Sequence, residues 1–208
     1  MKQSSFLNQV YIALTNALNT PSILALLEVY GYNAKKIREG LKQYEKIEQL
    51  KQQQEDATLE ARMASQTLQS ARQQLITLFQ MHLETARMAY KREADYTDTL
   101  LLVQPRSKTT PELLAQTKRF YNNIPIALME KYHAPQKELN EAAKLVAQVK
   151  ELVALQRKTQ AQVQTLTQIR KAALADLKDW MRTFYTIAKL ALREHPQQLE
   201  ALDIVVPS

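Results

Sequence analysis

The chain has 208 residues, a net charge of +7, no cysteine and only two glycines. The lack of cysteine excludes disulfides, thiol nucleophiles and Cys-ligated zinc, and the scarcity of glycine argues against Gly-rich phosphate loops and tight strained turns. Ala, Leu, Gln, Lys and Glu dominate, all of them helix formers, so the expectation is an all-α protein.

The opening MKQSSFLNQVYIALTNALNT carries one lysine, but Asn8, Gln9 and Asn16 interrupt its apolar stretch. It lacks the continuous apolar core of a signal peptide. No run approaches the roughly twenty apolar residues of a membrane span. A soluble, cytoplasmic protein is expected. SFLNQVYIALTNAL reads as a first short helix, broken at Pro21, and SILALLEVY as a second, closed by Gly31. From Gly40 to Pro105 there is then neither glycine nor proline. VQPRSKTT forms a linker. PELLAQTKRFYNN is the next short helix, with Thr110 as its cap and Pro111 in the first turn, where proline is tolerated. Pro125 interrupts again, IALMEKY follows, and a second long stretch runs from Pro135 to Pro196.

This order is the same plan twice. LLEVYGYNAKKIREG at 26–40 returns as LMEKYHAPQKELNEA at 128–142, pairing Leu26 with Leu128, Glu28 with Glu130, Tyr30 with Tyr132 and Glu39 with Glu141. At that constant offset about sixteen of some eighty positions are identical, well above an ungapped chance pairing. The exits agree too, Val103 and Pro105 with Val205 and Pro207. The chain therefore divides into a first helical repeat, 1–106, and a second, 107–208, intertwined as one structural unit.

Each long stretch is either one helix or a hairpin. Hairpin turns would fall at QQQEDAT (52–58) and QRKTQAQ (156–162), which hold no Gly, Pro or Asn. In the second repeat the heptad positions run Leu139, Val146, Val153, Gln160, Thr167, Leu174 and Met181, alternating with Ala142, Val149, Gln156, Val163, Arg170, Leu177 and Phe184. The phase crosses the polar middle without a slip, as a continuous coiled-coil helix does and a turn has no reason to do. The expected fold is two long antiparallel helices, each a rod of roughly 90 Å, with a pair of short helices packed at each end. The polar middles, 51–65 and 156–170, would then face one another. The alternative is a compact four-helix bundle of two hairpins.

Little in the sequence points to chemistry. His82, His133 and His195 are the only histidines, and no two of them stand at metal-binding helical spacing. His82 falls on the core phase, and His195 precedes a proline at a helix end. The carboxylate pairs Glu55–Asp56, Asp95–Asp98 and Asp176–Asp179 read as exposed charge. Phe79, Trp180, Phe184 and Tyr185 stand at helical spacing and read as core. The hydroxyls of Tyr30 and Tyr132 would tie short helix to long. Basic residues gather at Lys35, Lys36, Arg38, Lys42 and Lys46, at Arg106 and Lys108, and at Arg157 and Lys158. Arg170, Lys171, Lys178 and Arg182 come nearest to one face, but Asp176 and Asp179 interrupt it. No catalytic, cofactor-binding or metal-binding residue is assigned, and no cofactor or small-molecule substrate is expected.

The tandem joint, LLEVYGYN and LMEKY, and the ending LALREHPQQLEALDIVVPS after DWMRTFYTIAK resemble an uncharacterised group of bacterial proteins built from two similar helical halves. The resemblance implies a duplicated all-helical fold and a bacterial source, and says nothing about catalysis. The functional expectation is a non-enzymatic structural or interaction protein, a scaffold, adaptor or self-assembling rod, whose partners are other proteins or itself. A basic nucleic-acid-binding helical protein, resting on net charge, is the alternative.

Overall fold

The computed structural model describes residues 3–91 and 109–204. The linker with Arg106 and Lys108, the pair Asp95–Asp98 and the matched exits at Val103–Pro105 and Val205–Pro207 lie outside them. Among the described residues there are seven helices and no strand. They are α1 (Gln3–Asn19), α2 (Pro21–Glu28), α3 (Ala34–Tyr90), α4 (Thr110–Asn123), α5 (Ile126–Glu130), α6 (Gln136–Ala191) and α7 (Pro196–Ala201). The α3 and α6 helices, of 57 and 56 residues, pass through 52–58 and 156–162 without a break, so the hairpin alternative falls. No single helix among the described residues is long and apolar enough to cross a membrane. The α1–α2 pair would reach the length together but is bent by 92° at its break.

The chain packs as two compact units, Met1–Asp56 with Val163–Ser208, and Ala57–Gln162. Each takes a segment of both long helices: the first unit adds α1 and α2 of the first repeat and α7 of the second, and the second unit adds α4 and α5. In the first unit Leu14, Leu27, Ile37 and Ile47 are buried with Leu177, Met181 and Phe184. In the second, Leu75, Val149, Phe79, Phe120, Met129 and Leu139 are the buried side chains of two adjoining clusters. Within each unit the two long segments run antiparallel. Gly40 lies against Trp180 and Gln54 against Thr167 in the first. Ser65 lies against Gln156, and His82 against Glu138, in the second.

The polar middles meet as their residue types require. The Gln54 amide donates to Thr167 Oγ1 at 2.9 Å, and Arg170 donates to Gln54 Oε1 at 2.8 Å. Gln156 donates to Ser65 Oγ at 3.1 Å. Gln156 is the repeat counterpart of Gln54 and Thr167 that of Ser65, so the two bonds are copies of one another. The expected contact position Gln160 is exposed, and Thr159 beside it is buried. The Thr159 hydroxyl donates back to the carbonyls of Leu155 and Gln156, at 3.2 and 3.0 Å, and needs no outside partner. A glutamine amide there would.

The joints between short and long helices also repeat. After α2 the Tyr32 N–H reaches the Leu27 carbonyl at 3.1 Å and the Gly31 N–H that of Glu28 at 2.9 Å. This is the Schellman closure, with Gly31 at φ +84°. After α5, Ala134 and His133 make the same two bonds to Met129 and Glu130, and His133 sits at φ 63°. After α7, Ile204 and Asp203 repeat them on Leu199 and Glu200, with Asp203 at φ 57°. Backbone bonds make the joint, and the expected hydroxyl ties do not. Tyr30 and Tyr132 stand 45% and 44% exposed, whereas Tyr32 is buried against Trp180 and Phe184. The cap of α4 is Thr109 in place of the expected Thr110. An N-cap oxygen must reach the N–H three residues on, and Thr109 Oγ1 accepts from Glu112 at 3.4 Å.

Candidate functional site

The second unit carries two features absent from the first. The buried one centres on His82, which the heptad puts on the core side of α3 and which is fully buried. Its Nδ1 lies 3.0 Å from the Tyr121 hydroxyl on α4, and its Nε2 lies 3.1 Å from Glu138 Oε1 in the first turn of α6. One neutral tautomer satisfies all three groups: Tyr121 donates to Nδ1, and the Nε2 proton goes to the carboxylate. Burial pushes the imidazole pKa below its ordinary value, and the bond to Glu138 and its charge oppose this without overcoming it. Burial, then the Glu138 charge, raises the Tyr121 phenol well above its ordinary range. The ring is fully buried and gives a substrate no access to its nitrogens. It is a good tie between three helices, packed among Phe79 and Phe120 with ring centroids 5.2 to 6.3 Å apart.

The first unit shows what the same positions do otherwise. The repeat pairs His82 with Phe184 and Glu138 with Lys36. Buried Leu113, Thr117 and Phe120 of α4 follow the spacing of Val10, Leu14 and Ala17 of α1, which sets Tyr121 against Leu18. Phe184 is buried and stacks on Trp180 at 5.6 Å, Leu18 packs against the same core, and Lys36 turns outward to pair with Glu39 at 3.0 Å.

The surface feature is a groove of about 450 Å³ between α4 and α6. Val146 is buried at its floor, with Leu114 and Ala143 half-buried beside it. Ala115 and Ala147 form exposed walls, and Lys118 and Lys150 stand at the rim. The groove exists because these side chains are small. In the first unit Tyr44 replaces Val146, Leu41 replaces Ala143, and Tyr11 by the burial spacing replaces Leu114. The Tyr11 and Tyr44 rings pack at 5.5 Å. Glu45 and Glu48 take the places of Ala147 and Lys150. The first unit's own cleft, about 480 Å³ beside Tyr44 and Leu7, is lined otherwise by polar Ser4, Asn8, Glu48, Lys51 and Arg170.

The residues singled out by sequence scatter. Among the described residues no group of three His, Asp or Glu side chains can hold a metal. His133 forms a joint and His195 precedes α7. Phe79 belongs to the core of the second unit, and Trp180, Phe184 and Tyr185 to the first. The most nearly continuous basic face is partly engaged. Arg170 bonds Gln54, Lys178 lies 5.8 Å from the Phe6 ring centroid, and Arg182 pairs with Asp179 at 3.0 Å. Sequence reasoning missed Tyr121 and Glu138, whose link to His82 is purely tertiary. It missed the groove as well, whose one legible signal was Ala143, Val146 and Ala147 standing opposite Leu41, Tyr44 and Glu45 in the repeat. Comparison with known proteins finds no matching family model, no matching curated protein and no matching solved structure.

Proposed function

We propose that the chain is a non-enzymatic helical interaction protein, an adaptor or scaffold that binds another protein. The observation that carries this reading is the α4–α6 groove, an apolar trough open on a helical surface whose equivalent positions in the sister unit carry the larger Tyr11, Leu41 and Tyr44. At the equivalent positions the sister unit places Tyr11, Leu41 and Tyr44, and the cleft beside them is lined mainly by polar groups, so the apolar trough is particular to this unit. The buried polar tie of His82 fits the same reading. It fixes α3, α4 and α6 against one another and keeps the groove walls in register.

A photo-reactive residue at Ala147, compared with one at Glu45, tests the proposal in native cells. A discrete protein adduct at Ala147 and none at Glu45 is expected. Adducts to nucleic acid, or no protein adduct at any surface position tried, would overturn it.

A further inference from the structure

We infer that the α4–α6 groove takes an amphipathic helix of a partner protein whose apolar stripe is flanked by acidic residues. This rests on the protein-binding reading of the groove and specifies its occupant.

Shape points to a helix. The lining residues fall at 114, 115, 118 and 122 on α4 and at 143, 146, 147 and 150 on α6, about two turns of each. A third helix laid along such a trough presents side chains at i, i+3 or i+4 and i+7 over the same length. The small walls, Ala115 and Ala147, let its backbone approach. The volume, about 450 Å³, suits aliphatic anchors.

Charge selects the flanks. Lys118 has Leu114, Ala115, Tyr121 and Asn122 one turn away, and Lys150 has Val146, Ala147, Val153 and Ala154. Neither has an acidic residue three or four positions away, where a helical partner would face it (Glu151, next to Lys150, points to another face), and neither forms an ion pair among the described residues. The sister unit carries Glu48 where this one carries Lys150, so the positive rim belongs to the open groove and not to the architecture. Two lysines across an apolar trough match carboxylates on either side of a Leu stripe, and they disfavour a basic helix by the same repulsion.

The test uses the purified full chain and three fluorescent peptides of one length: a Leu-striped helix flanked by Glu, the same stripe flanked by Lys, and a scrambled form of the first. Anisotropy is read at two salt concentrations, with circular dichroism to follow helix formation. The acidic peptide is expected to bind saturably and gain helicity on binding. The basic and scrambled peptides are expected to bind at least about tenfold more weakly. Lys118→Glu with Lys150→Glu should weaken the acidic peptide about fivefold or more and favour the basic one. Val146→Tyr, which restores the sister unit's residue, should abolish binding, and Lys144→Glu outside the groove should leave it unchanged.

Equal binding of acidic and basic peptides, or binding indifferent to Val146→Tyr, would overturn the inference. So would the absence of saturable binding by the acidic peptide at about 1 mM. If a protein adduct at Ala147 persists in that case, the groove still binds protein and only its occupant has been misassigned. If neither is seen, both readings fall. Displacement of the peptide by single-stranded DNA in a steeply salt-dependent way would assign the lysines to phosphate. A dimer of this chain that Val146→Tyr dissociates would assign the groove to a second copy.

Discussion

The two units are one design with opposite solutions at three places. The first unit spends Gly40 to admit Trp180: a Cβ at Gly40 would lie 2.7 Å from the indole ring and 3.0 Å from Leu14. The second sets Ala142 and Leu78 at the same positions, the larger residue of one face traded against the smaller of the other. The first fills its deepest aromatic site with Phe184, and the second puts His82 there and must supply two polar partners. The first covers the equivalent stretch of its α1–α3 surface with Tyr11 and Tyr44 and has a more polar cleft beside it, and the second leaves an apolar groove. Where the copies agree, as at the Schellman joints and the Gln–Ser/Thr bonds, the fold is being specified. Where they differ, only one copy is free to be specialised.

The sharpest break is to exchange the buried site. Phe184→His should destabilise the first unit by about 3 kcal/mol, because apolar burial is lost and an imidazole is left unpaired. Urea titration followed by the fluorescence of Trp180, the only tryptophan, reads that unit alone. Gly40→Ala should cost about 1 to 3 kcal/mol by overpacking against the indole ring, and the same titration reads it. Ala142→Gly, its counterpart, should cost nearer 1 kcal/mol, through helix propensity and a small void.

Acidification should separate the units next. Burial holds the His82 pKa below its unfolded value, so the unfolded chain binds the extra proton first. The stability of the second unit is then fully present above about pH 6.5 and is lost as pH falls through that value toward the depressed native pKa. Glu138 and Tyr121 are the titratable groups bonded to the ring. The bond to Glu138 and its charge moderate the loss. Hydrogen exchange at pH 7 and pH 5 should show weakened protection of α4 and of α3 around His82. In His82→Phe that pH dependence should vanish. An unchanged profile in that variant would mean other groups carry the effect.

The smallest change concerns the joints. His133 occupies a left-handed conformation that costs a non-glycine residue about 1 kcal/mol. His133→Gly should therefore stabilise by roughly 0.5 kcal/mol after the entropy of the unfolded glycine is counted. Gly31→Ala should destabilise by about 1 kcal/mol, since nothing crowds the position and only the backbone angle resists. The Trp180 titration reads Gly31→Ala in the first unit, and hydrogen exchange of α5 and the start of α6 reads His133→Gly in the second.

Composition and the long stretches without proline or a turn signal made the helices legible, because such sequence has one regular solution. The repeat made their pairing legible, since LLEVYGYN and LMEKY announce the same joint twice. His82 could be placed on the core side from phase alone. That Tyr121 and Glu138 would reach it could not, because three residues on three helices meet only after those helices pack. Tyr30 and Tyr132 misled for a related reason: identity across the repeat marked the joint, but the joint is closed by backbone N–H groups and leaves those rings in solvent.

The sequence by itself determined an all-helical chain, two uninterrupted long helices and a plan stated twice, since periodicity and the placing of Gly and Pro are local properties. Tertiary structure alone decided which copy holds a buried histidine tie and which surface stays open. Those outcomes depend on the sizes and hydrogen-bonding needs of side chains that become neighbours only across helices. A tyrosine at 44 and a valine at 146 are each compatible with the same helix, and the difference becomes a groove only when another helix lies alongside.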